Sequence, residues 1–267
     1  MTKGTIIVSG GTFGLGREIT LCLAAKGYPV VAFGLEAPQI SSIAQNAIPS
    51  LAEDAQASGL DVTVLEADVT VEADVARVVD TALARCGRIH GIVNNAAIGP
   101  LGTVLDTPPE VWDRIMAVNL RGPYLLARAT LPHFAAHGGG SIVNVGSGAG
   151  WGKPNMAGYG TSKGGLIALS ASLALDHFYD RVRVNTVIPG GGGIVAGMSL
   201  GRVGGDAAKL GPGAVGTVAG RVANGTDLGN AIAWLMSPEA EALSGTIIDV
   251  GCFAHQGSST PFKRAQQ

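Results

Sequence analysis

The stretch TIIVSGGTFGLG, residues 5–16, joins a short apolar run to a turn that is rich in glycine. The β-branched residues of the run predict a strand, and the amphipathic pattern over 15–26 predicts a helix. Glycines between a strand and a helix let the backbone approach a pyrophosphate, whose charge the helix N-terminus favours. The turn lacks the Gly-Lys-Ser/Thr ending of a phosphate-hydrolysing loop, so it indicates dinucleotide binding instead.

The alternation of strand and helix that begins at this turn continues along the chain. Near-continuous apolar runs predict strands over 5–10, 28–34, 61–68, 88–97, 140–147, 181–190 and 245–251. Amphipathic stretches predict helices over 15–26, 41–57, 73–85, 109–136, 156–179 and 227–236. Apolar strands separated by helices are typical of a parallel sheet that is buried on both faces. We therefore expect one α/β domain over 1–267, a doubly wound Rossmann-type fold with a seven-stranded parallel sheet and helices on both faces.

Three segments interrupt this rhythm. Residues 35–50 are longer than a simple turn needs, and Pro49 is expected to interrupt or restart a helix there. Residues 190–221 are glycine-rich and follow the sixth strand, at the end of the sheet where such folds bind ligands. We interpret them as a substrate lid, with a disordered surface loop as the alternative. Residues 252–267 form a C-terminal tail after the last strand.

The composition limits the classes of partner. Charged residues make up 14% of the 267 residues, the formal net charge is -2 and the pI is near 6.2. This balance provides no basic field for nucleic acid or an anionic membrane, and no run approaches the ~20 apolar residues of a membrane span. Three scattered cysteines, Cys22, Cys86 and Cys252, fit neither a disulfide framework nor a metal site. A reduced, cytoplasmic location is therefore predicted, with no metal.

A tyrosine and a lysine lie four positions apart in AGYGTSKGG, residues 157–165. On a helix, Tyr159 and Lys163 would share one face and lie within side-chain reach of each other. A solvated helix surface would explain an isolated pair of this kind equally well. The interpretation of the pair therefore depends on the motifs that accompany it.

Taken with the glycine turn, these motifs resemble the short-chain dehydrogenase/reductase family, and the resemblance covers nearly the whole chain. The family's turn reads Thr-Gly-x-x-x-Gly-x-Gly; here Ser9 replaces the threonine, while Gly10, Gly14 and Gly16 match. Further matches follow in sequence order: Asp68 in ADV, Asn95 in NNAA, Asn119 in VNL, Ser147 in VGS, the Tyr159 and Lys163 pair, and NTVIPG at 185–190.

The resemblance implies an NAD(P)-dependent oxidoreductase that interconverts a secondary alcohol and a ketone by hydride transfer. Tyr159 would be the general acid/base, because a neighbouring ammonium on Lys163 would lower the pKa of its phenol, and Lys163 would also hold the cofactor ribose. Ser147 would hydrogen-bond the substrate oxygen. Asn119 would bind a water that relays protons from Lys163 to solvent.

The same resemblance assigns the cofactor-binding residues. They are Gly10, Thr12, Phe13, Gly14, Leu15, Gly16, Leu35, Asp68, Val69, Asn95, Ala96, Tyr159, Lys163, Pro189 and Gly190. After the second strand the sequence reads FGLE, residues 33–36, without the acidic residue or the arginine that the family commonly places there. Because no cation offsets a 2′-phosphate and Glu36 is close by, NAD is slightly preferred to NADP.

Several of these residues have simpler explanations. Ser147 precedes Tyr159 by 12 residues, one fewer than the commonest family spacing, and would serve equally as a turn residue at a strand end. Asn119 would fit a helix surface, and Asp68 would fit the cap of the following helix. The family's usual threonine after the sixth strand falls near Ile194, which removes a hydroxyl that normally contacts the nicotinamide amide.

The substrate is expected to be a small alcohol or carbonyl compound, mainly uncharged if Trp151, Met156 and Met198 form the pocket walls. A non-catalytic dinucleotide-sensing or scaffold protein on the same fold is the main alternative, and an epimerase or dehydratase is the third. Family members commonly pair through two long helices, predicted here over 109–136 and 156–179, which implies a homo-oligomer, most simply a tetramer. The tail would help to build this assembly or close an active site.

Overall fold

The computed structural model describes residues 3–36, 47–189, 198, 202, 221 and 223–251. Their strands form a single seven-stranded parallel sheet in the order β3-β2-β1-β4-β5-β6-β7. The strands are β1 (Thr5–Ser9), β2 (Val30–Gly34), β3 (Val62–Glu66), β4 (Ile89–Asn94), β5 (Gly140–Val145), β6 (Val182–Pro189) and β7 (Ile247–Val250). The predicted doubly wound Rossmann-type fold is confirmed.

Helices connect successive strands. They are α1 (Gly14–Ala25), α2 (Ala47–Ala57), α3 (Glu72–Cys86), α4 (Pro109–Met116), α5 (Gly122–Ala136), α6 (Ala157–Asp176) and α7 (Gly225–Met236). Short 3-10 turns occupy Gly148–Trp151 and Pro238–Ala240, and a π-helical turn, Ala117–Arg121, joins α4 directly to α5. Within the described residues no helix combines the length and apolar character needed to cross a membrane.

Apolar side chains alternate between the two faces of the sheet and fill a core on each. On one face Ile7, Val31 and Ile92 pack against α3 and α5. On the other face Ile6 and Val8 pack against α1 and α7. Because the central strands are buried on both faces, they can carry no polar alternation, which explains the continuous apolar runs in the sequence.

The predicted elements differ from the observed ones mainly at their ends. The predicted helix 156–179 ends earlier, at Asp176, because the chain turns over 177–180 and Arg181 has a left-handed backbone with φ 57°. The predicted helix 109–136 contains the π turn. Pro49 lies in the first turn of α2, where its missing N–H costs nothing, and residues 37–46 lie outside the described residues.

The predicted lid and the predicted C-terminal tail lie largely outside the described residues. Of the predicted lid 190–221, only Met198, Arg202 and Arg221 belong to the described residues, and the predicted tail 252–267 lies wholly outside them.

Candidate active site

The predicted site residues come from the carboxyl ends of the central strands. Strand β1 lies between β2 and β4. The chain first adds β2 and β3 on one side of β1 and then adds β4 to β7 on its other side, so the strand order reverses at β1. Folds of this class bind ligands in the crevice at such a reversal. The turn after β1, the loop after β4 and the segment after β5 therefore meet at one edge.

The glycine turn between β1 and α1 depends on the missing side chains. Gly10 and Gly14 have positive φ angles of 60° and 53°, which other residues rarely adopt. A Cβ atom added to Gly16 would lie 1.9 Å from the carbonyl oxygen of Gly10, inside any allowed contact distance. Any side chain at position 16 would therefore force this tight turn apart.

The N-terminus of α1 has no side-chain cap. Its N-cap residue, Phe13, makes no capping hydrogen bond, and the first turn contains no acidic residue. The N–H groups of a first helical turn have no partner within the helix, and the helix dipole places positive potential there. The turn can therefore accept an anionic group against its backbone.

Ser9 and Asn95 hold the turn against β4. The Ser9 hydroxyl accepts hydrogen bonds from the backbone N–H groups of Asn95, at 3.1 Å, and Ala96, at 3.2 Å. The Asn95 side-chain amide donates to the carbonyl of Gly10 at 2.9 Å. Because these bonds replace strand pairing, β4 ends at Asn94, before its predicted end at residue 97. They also hold the carboxyl ends of β1 and β4 together.

Two of the predicted cofactor contacts have side chains that serve in packing. The Thr12 side chain is buried against Gly34, where an added Cβ would lie 2.7 Å from its hydroxyl. Val69 is buried against Gly122 in the same way, with 2.8 Å to a Cβ at that position. Leu35, in contrast, is exposed at the end of β2.

Asp68 is held by residues of its own loop and of α4. One carboxylate oxygen accepts hydrogen bonds from the Thr70 backbone N–H and hydroxyl, and the other pairs with Arg114 at 3.2 Å. Burial by itself raises the pKa of this carboxyl, but the bonds from Thr70 and Arg114 outweigh it and lower the pKa overall. The alternative of a helix cap is not what the structure shows, because Val71 is the N-cap of α3.

Asn119 lies fully buried in the π turn between α4 and α5. Its side chain accepts a hydrogen bond from the Ile98 N–H and donates to the Ile98 carbonyl, both at 2.8 Å. It also donates to the Ser162 hydroxyl at 3.0 Å, and Ser162 in turn donates to the carbonyl of Tyr159 at 2.7 Å. The buried amide therefore fixes α6 relative to the loop after β4, and the surface position is excluded.

Ser147 and Tyr159 are brought together despite the short spacing. The Ser147 hydroxyl accepts a bond from the Ala149 N–H at 3.2 Å, which caps the 3-10 turn Gly148–Trp151. The same hydroxyl interacts with the Tyr159 hydroxyl, and this interaction lowers the pKa of the phenol. The 3-10 turn leads from Ser147 towards α6, so a separation of 12 residues is enough to bring the two side chains together.

Tyr159 and Lys163 lie on one face of α6, as the spacing predicts, but both are buried, with exposed fractions of 8% and 2%. The Lys163 ammonium lies 5.8 Å from the centre of the Tyr159 ring and donates to the Val145 carbonyl at 2.8 Å. Burial raises the pKa of Tyr159, opposed by Ser147 and Arg202, and lowers the pKa of Lys163 to about 8. Burial is therefore the largest cause of the pKa shift in both residues.

The sequence analysis missed a third group beside the tyrosine. The Arg202 guanidinium lies 5.6 Å from the centre of the Tyr159 ring and donates twice to the Gly99 carbonyl, at 2.9 and 2.8 Å. A Cβ on Gly99 would lie within 3.0 Å of Met198, Arg202 and Tyr159. The available signal was an arginine four residues after Met198, in a segment that consists mainly of small and apolar residues.

The remaining predicted residues take peripheral positions. Pro189 ends β6 and Gly190 lies outside the described residues. Trp151 is exposed on the 3-10 turn, and Met156 forms an isolated bridge with Gly102. Among the residues that the structure describes, no group of three or more histidine, cysteine or carboxylate side chains could hold a metal ion.

Comparison with known proteins places this geometry in a family. A family model described as enoyl-(acyl carrier protein) reductase matches residues 10–252. A 2-(S)-hydroxypropyl-CoM dehydrogenase from Xanthobacter autotrophicus is 36% identical over 187 residues, which is 69% of this chain and 70% of that protein. The chain belongs to the short-chain dehydrogenase/reductase family.

Solved structures of short-chain dehydrogenase/reductases share the fold along nearly the whole chain. A protein from Burkholderia xenovorans described as a member of this family has a TM-score of 0.82 and 28% identity, covering 96% of this chain and 98% of that one. A 3-ketoacyl-(acyl-carrier-protein) reductase from Brucella melitensis, complexed with NADH, has a TM-score of 0.78 and 28% identity, covering 93% and 96%.

The departures of this short-chain dehydrogenase/reductase from the family motifs have different structural meanings. Ser9 supplies the hydroxyl that the threonine of the motif would supply, because its oxygen accepts two backbone hydrogen bonds. The short spacing between Ser147 and Tyr159 still places the two hydroxyls close enough to interact. Ile194, the third departure, lies outside the described residues.

Proposed function

We propose that the protein is an NAD(P)-dependent oxidoreductase that interconverts a secondary alcohol and a ketone. The observation that carries this proposal is the placement of the Ser147 hydroxyl and the Lys163 ammonium beside the buried Tyr159. A phenol, a hydroxyl and an ammonium at one strand end are the groups that proton transfer to and from a carbonyl oxygen requires. A dinucleotide sensor would need none of them.

The glycine turn fits a dinucleotide. The open N–H groups of α1 would hold the pyrophosphate, and the backbones of Gly10, Thr12 and Gly14 would line its approach. Because the side chains of Thr12 and Val69 are buried in packing, we assign any cofactor contact of these residues to their main chains. Asp68 would meet the adenine through a carboxylate that Thr70 and Arg114 keep ionised and oriented.

The residues of the site supply the proton chemistry. When bound, NAD(P)H supplies the hydride, which carries two electrons to the carbonyl carbon. As the C=O π bond breaks, the oxygen takes the proton of the Tyr159 hydroxyl, and Ser147 hydrogen-bonds that oxygen. Because burial raises the pKa of Tyr159, this residue keeps its proton at neutral pH, which suits ketone reduction. Alcohol oxidation needs the phenolate and should therefore speed up as the pH rises.

Lys163 and Asn119 support this proton transfer in different ways. Lys163, with a pKa lowered to about 8, can return a proton to Tyr159 near neutral pH, and its position beside the ring suits the ribose as well. The Asn119 side chain has no remaining donor, since both of its N–H bonds go to Ile98 and Ser162. We therefore assign this side chain to positioning α6 and leave the relay water to the main chain of the π turn.

A second reaction is favoured by one observation. The matching family model is described as enoyl-(acyl carrier protein) reductase, so an enoyl thioester, reduced at its C=C bond, belongs among the candidate substrates. In that reaction the hydride would go to the β-carbon of the C=C bond and a proton to the α-carbon, whereas ketone reduction places the hydride on the carbonyl carbon and the proton on its oxygen.

We also propose a homo-oligomer. Large apolar side chains at the end of α6 and just beyond it are strongly exposed: Leu175, Phe178 and Tyr179. An exposed apolar cluster of this kind marks an interaction surface in many soluble proteins. Light scattering should give the mass of a tetramer, and a monomer would contradict the proposal.

The function is tested with a substrate panel. Secondary alcohols, matching ketones and an enoyl thioester are incubated with NAD(H) and with NADP(H), and the cofactor absorbance is followed. We expect turnover of at least one alcohol and ketone pair in both directions. A protein that binds the cofactor tightly and turns over no member of the panel would instead be the sensor.

A further inference from the structure

The position of Arg202 gives this site a feature that the reaction itself does not require. Its guanidinium carbon lies 5.6 Å from the centre of the Tyr159 ring. Two of its nitrogens, Nε and Nη2, donate to the Gly99 carbonyl, and Nη2 lies 3.6 Å from the Met198 sulfur. The side chain is thus fixed at the loop after β4, at the edge of the proposed acid/base.

The charge of Arg202 has no counterion in the part of the chain that the structure describes. All its recorded partners there are neutral: a carbonyl, a thioether and an aromatic ring. Its third nitrogen, Nη1, makes no hydrogen bond with any described residue. A partly buried guanidinium normally pairs with an anion, because a neutral carbonyl returns only part of the lost hydration.

The neighbouring cation does not change this balance. Lys163 approaches the same ring and donates to a backbone carbonyl, so two positive groups flank one tyrosine. Among the described groups that contact Tyr159, Ser147 supplies a neutral hydroxyl. A negatively charged ligand group would therefore meet positive potential that no described residue at the site compensates.

We propose that Arg202 is a specificity-determining residue that binds an oxyanion, with a carboxylate as the simplest case, on the substrate reduced at Tyr159. This inference rests on the proposed function and deepens it, since it replaces the expectation of a mainly uncharged substrate by an oxo acid or hydroxy acid. Guanidinium groups bind carboxylates through charge-assisted hydrogen bonds, and Nη1 is the donor that no described residue engages.

The expected effect on the kinetics follows from where the contact is made. The oxyanion keeps its charge throughout the reaction, so Arg202 binds ground state and transition state alike. Loss of such a contact raises KM and leaves kcat nearly unchanged. If Arg202 acted only by its charge on Tyr159, or only by anchoring its own segment, its loss would affect charged and neutral substrates equally.

The test compares oxo acids with their methyl esters. Pyruvate, acetoacetate and levulinate, each beside its methyl ester, are assayed with the wild type, R202M and R202K. Lys26→Met serves as the control, because Lys26 is an exposed cation after α1, at the opposite end of the sheet. Thermal unfolding of each variant shows that the fold is kept.

We expect the wild type to favour at least one acid over its ester by tenfold or more. R202M should lower kcat/KM for that acid by about 100-fold, mainly through KM, and change the ester by less than threefold. R202K should recover part of the loss, and the Lys26 variant should behave as the wild type. Equal losses on acid and ester, or a wild type that favours no acid, would overturn the proposal.

Failure of the proposed function would be seen separately. If no oxo compound is turned over, calorimetric titration of the NAD-loaded protein with the same three acids still decides the role of Arg202. Binding of one acid that R202M weakens by tenfold or more supports the oxyanion site. Binding that R202M leaves unchanged, or no binding at all, contradicts it.

Discussion

The two halves of the site are built in opposite ways. At the turn between β1 and α1, backbone atoms are presented and side chains are missing, with a Cβ at Gly16 only 1.9 Å from a carbonyl oxygen. At α6, buried side chains are presented, and burial moves the pKa of both Tyr159 and Lys163. The first half depends on shape, and the second on the removal of charged and polar groups from water.

The largest expected effect separates the two halves. Tyr159→Phe removes the proton donor and leaves the glycine turn untouched, so kcat should fall about 1000-fold while the Kd for cofactor stays within threefold. Tyr124→Phe, at an exposed tyrosine outside the proposed interaction cluster, is the control and should retain full activity. A Tyr159 variant that keeps near-wild-type kcat on an established substrate would disprove the proposed acid/base.

The converse change acts on the glycine turn alone. Gly16→Ala should lower the free energy of unfolding by about 3 kcal/mol and weaken cofactor binding, because its Cβ would overlap the Gly10 carbonyl. Gly59→Ala has the same left-handed strain as many turn glycines but open space around the Cβ, so about 1 kcal/mol is expected there. Chemical denaturation measures both, and equal losses would show that the tight turn carries no special constraint.

The buried ammonium should give the protein a pH-dependent stability. Burial lowers the pKa of Lys163 from 10.5 to about 8, so the unfolded chain binds this proton more tightly than the folded chain. The cost of the buried charge is therefore complete below pH 8 and is relieved as the pH rises towards 10.5. The wild type should gain up to about 3 kcal/mol relative to Lys163→Met over this window.

Denaturant unfolding of both proteins at pH 7.5 and pH 9.5 checks this prediction, with Lys26→Met as the control at an exposed lysine. A difference between the wild type and Lys163→Met that stays constant with pH would mean that the folded chain binds this proton as tightly as the unfolded chain, so that burial does not lower the pKa of Lys163.

The smallest effect concerns the cofactor. The segment at the end of β2, residues 33–36, carries no basic side chain, and Leu35 is exposed there. NADH should therefore be used at least as well as NADPH when kcat/KM values are compared at fixed substrate. A tenfold preference for NADPH, about 1.4 kcal/mol, would overturn this expectation.

Sequence reasoning reached the fold because its signals are local. The apolar runs and the spacing of Gly10, Gly14 and Gly16 each follow from constraints on neighbouring residues, and the structure confirms the strands and the Rossmann-type order of the sheet. The spacing of Tyr159 and Lys163 likewise predicted their shared face on α6.

The rest depends on contacts that no local pattern encodes. In the sequence, the π turn at Asn119 has the same apolar pattern as one continuous helix, so it cannot be recognised there. Only the hydrogen bonds of Asn119 to Ile98 and Ser162 show that this turn positions a buried amide. The raised pKa of Tyr159 comes first from burial, whereas the sequence suggested a lowering by Lys163. Arg202 was missed because its partner, Gly99, lies 103 residues earlier in the chain.

The central claim is hydride transfer to a carbonyl carbon, with Tyr159 as proton donor, and isotope transfer tests it most directly. The protein is given NADH carrying deuterium at the transferable position together with a ketone that it turns over, and the alcohol is examined by mass spectrometry. We predict one deuterium on the carbinol carbon for the wild type and about 1000-fold slower formation of labelled alcohol by Tyr159→Phe, which should still bind NADH. The account would be contradicted if the alcohol carried no deuterium whichever of the two C4 hydrogens of NADH is replaced by deuterium. It would also be contradicted if the variant formed labelled alcohol as fast as the wild type.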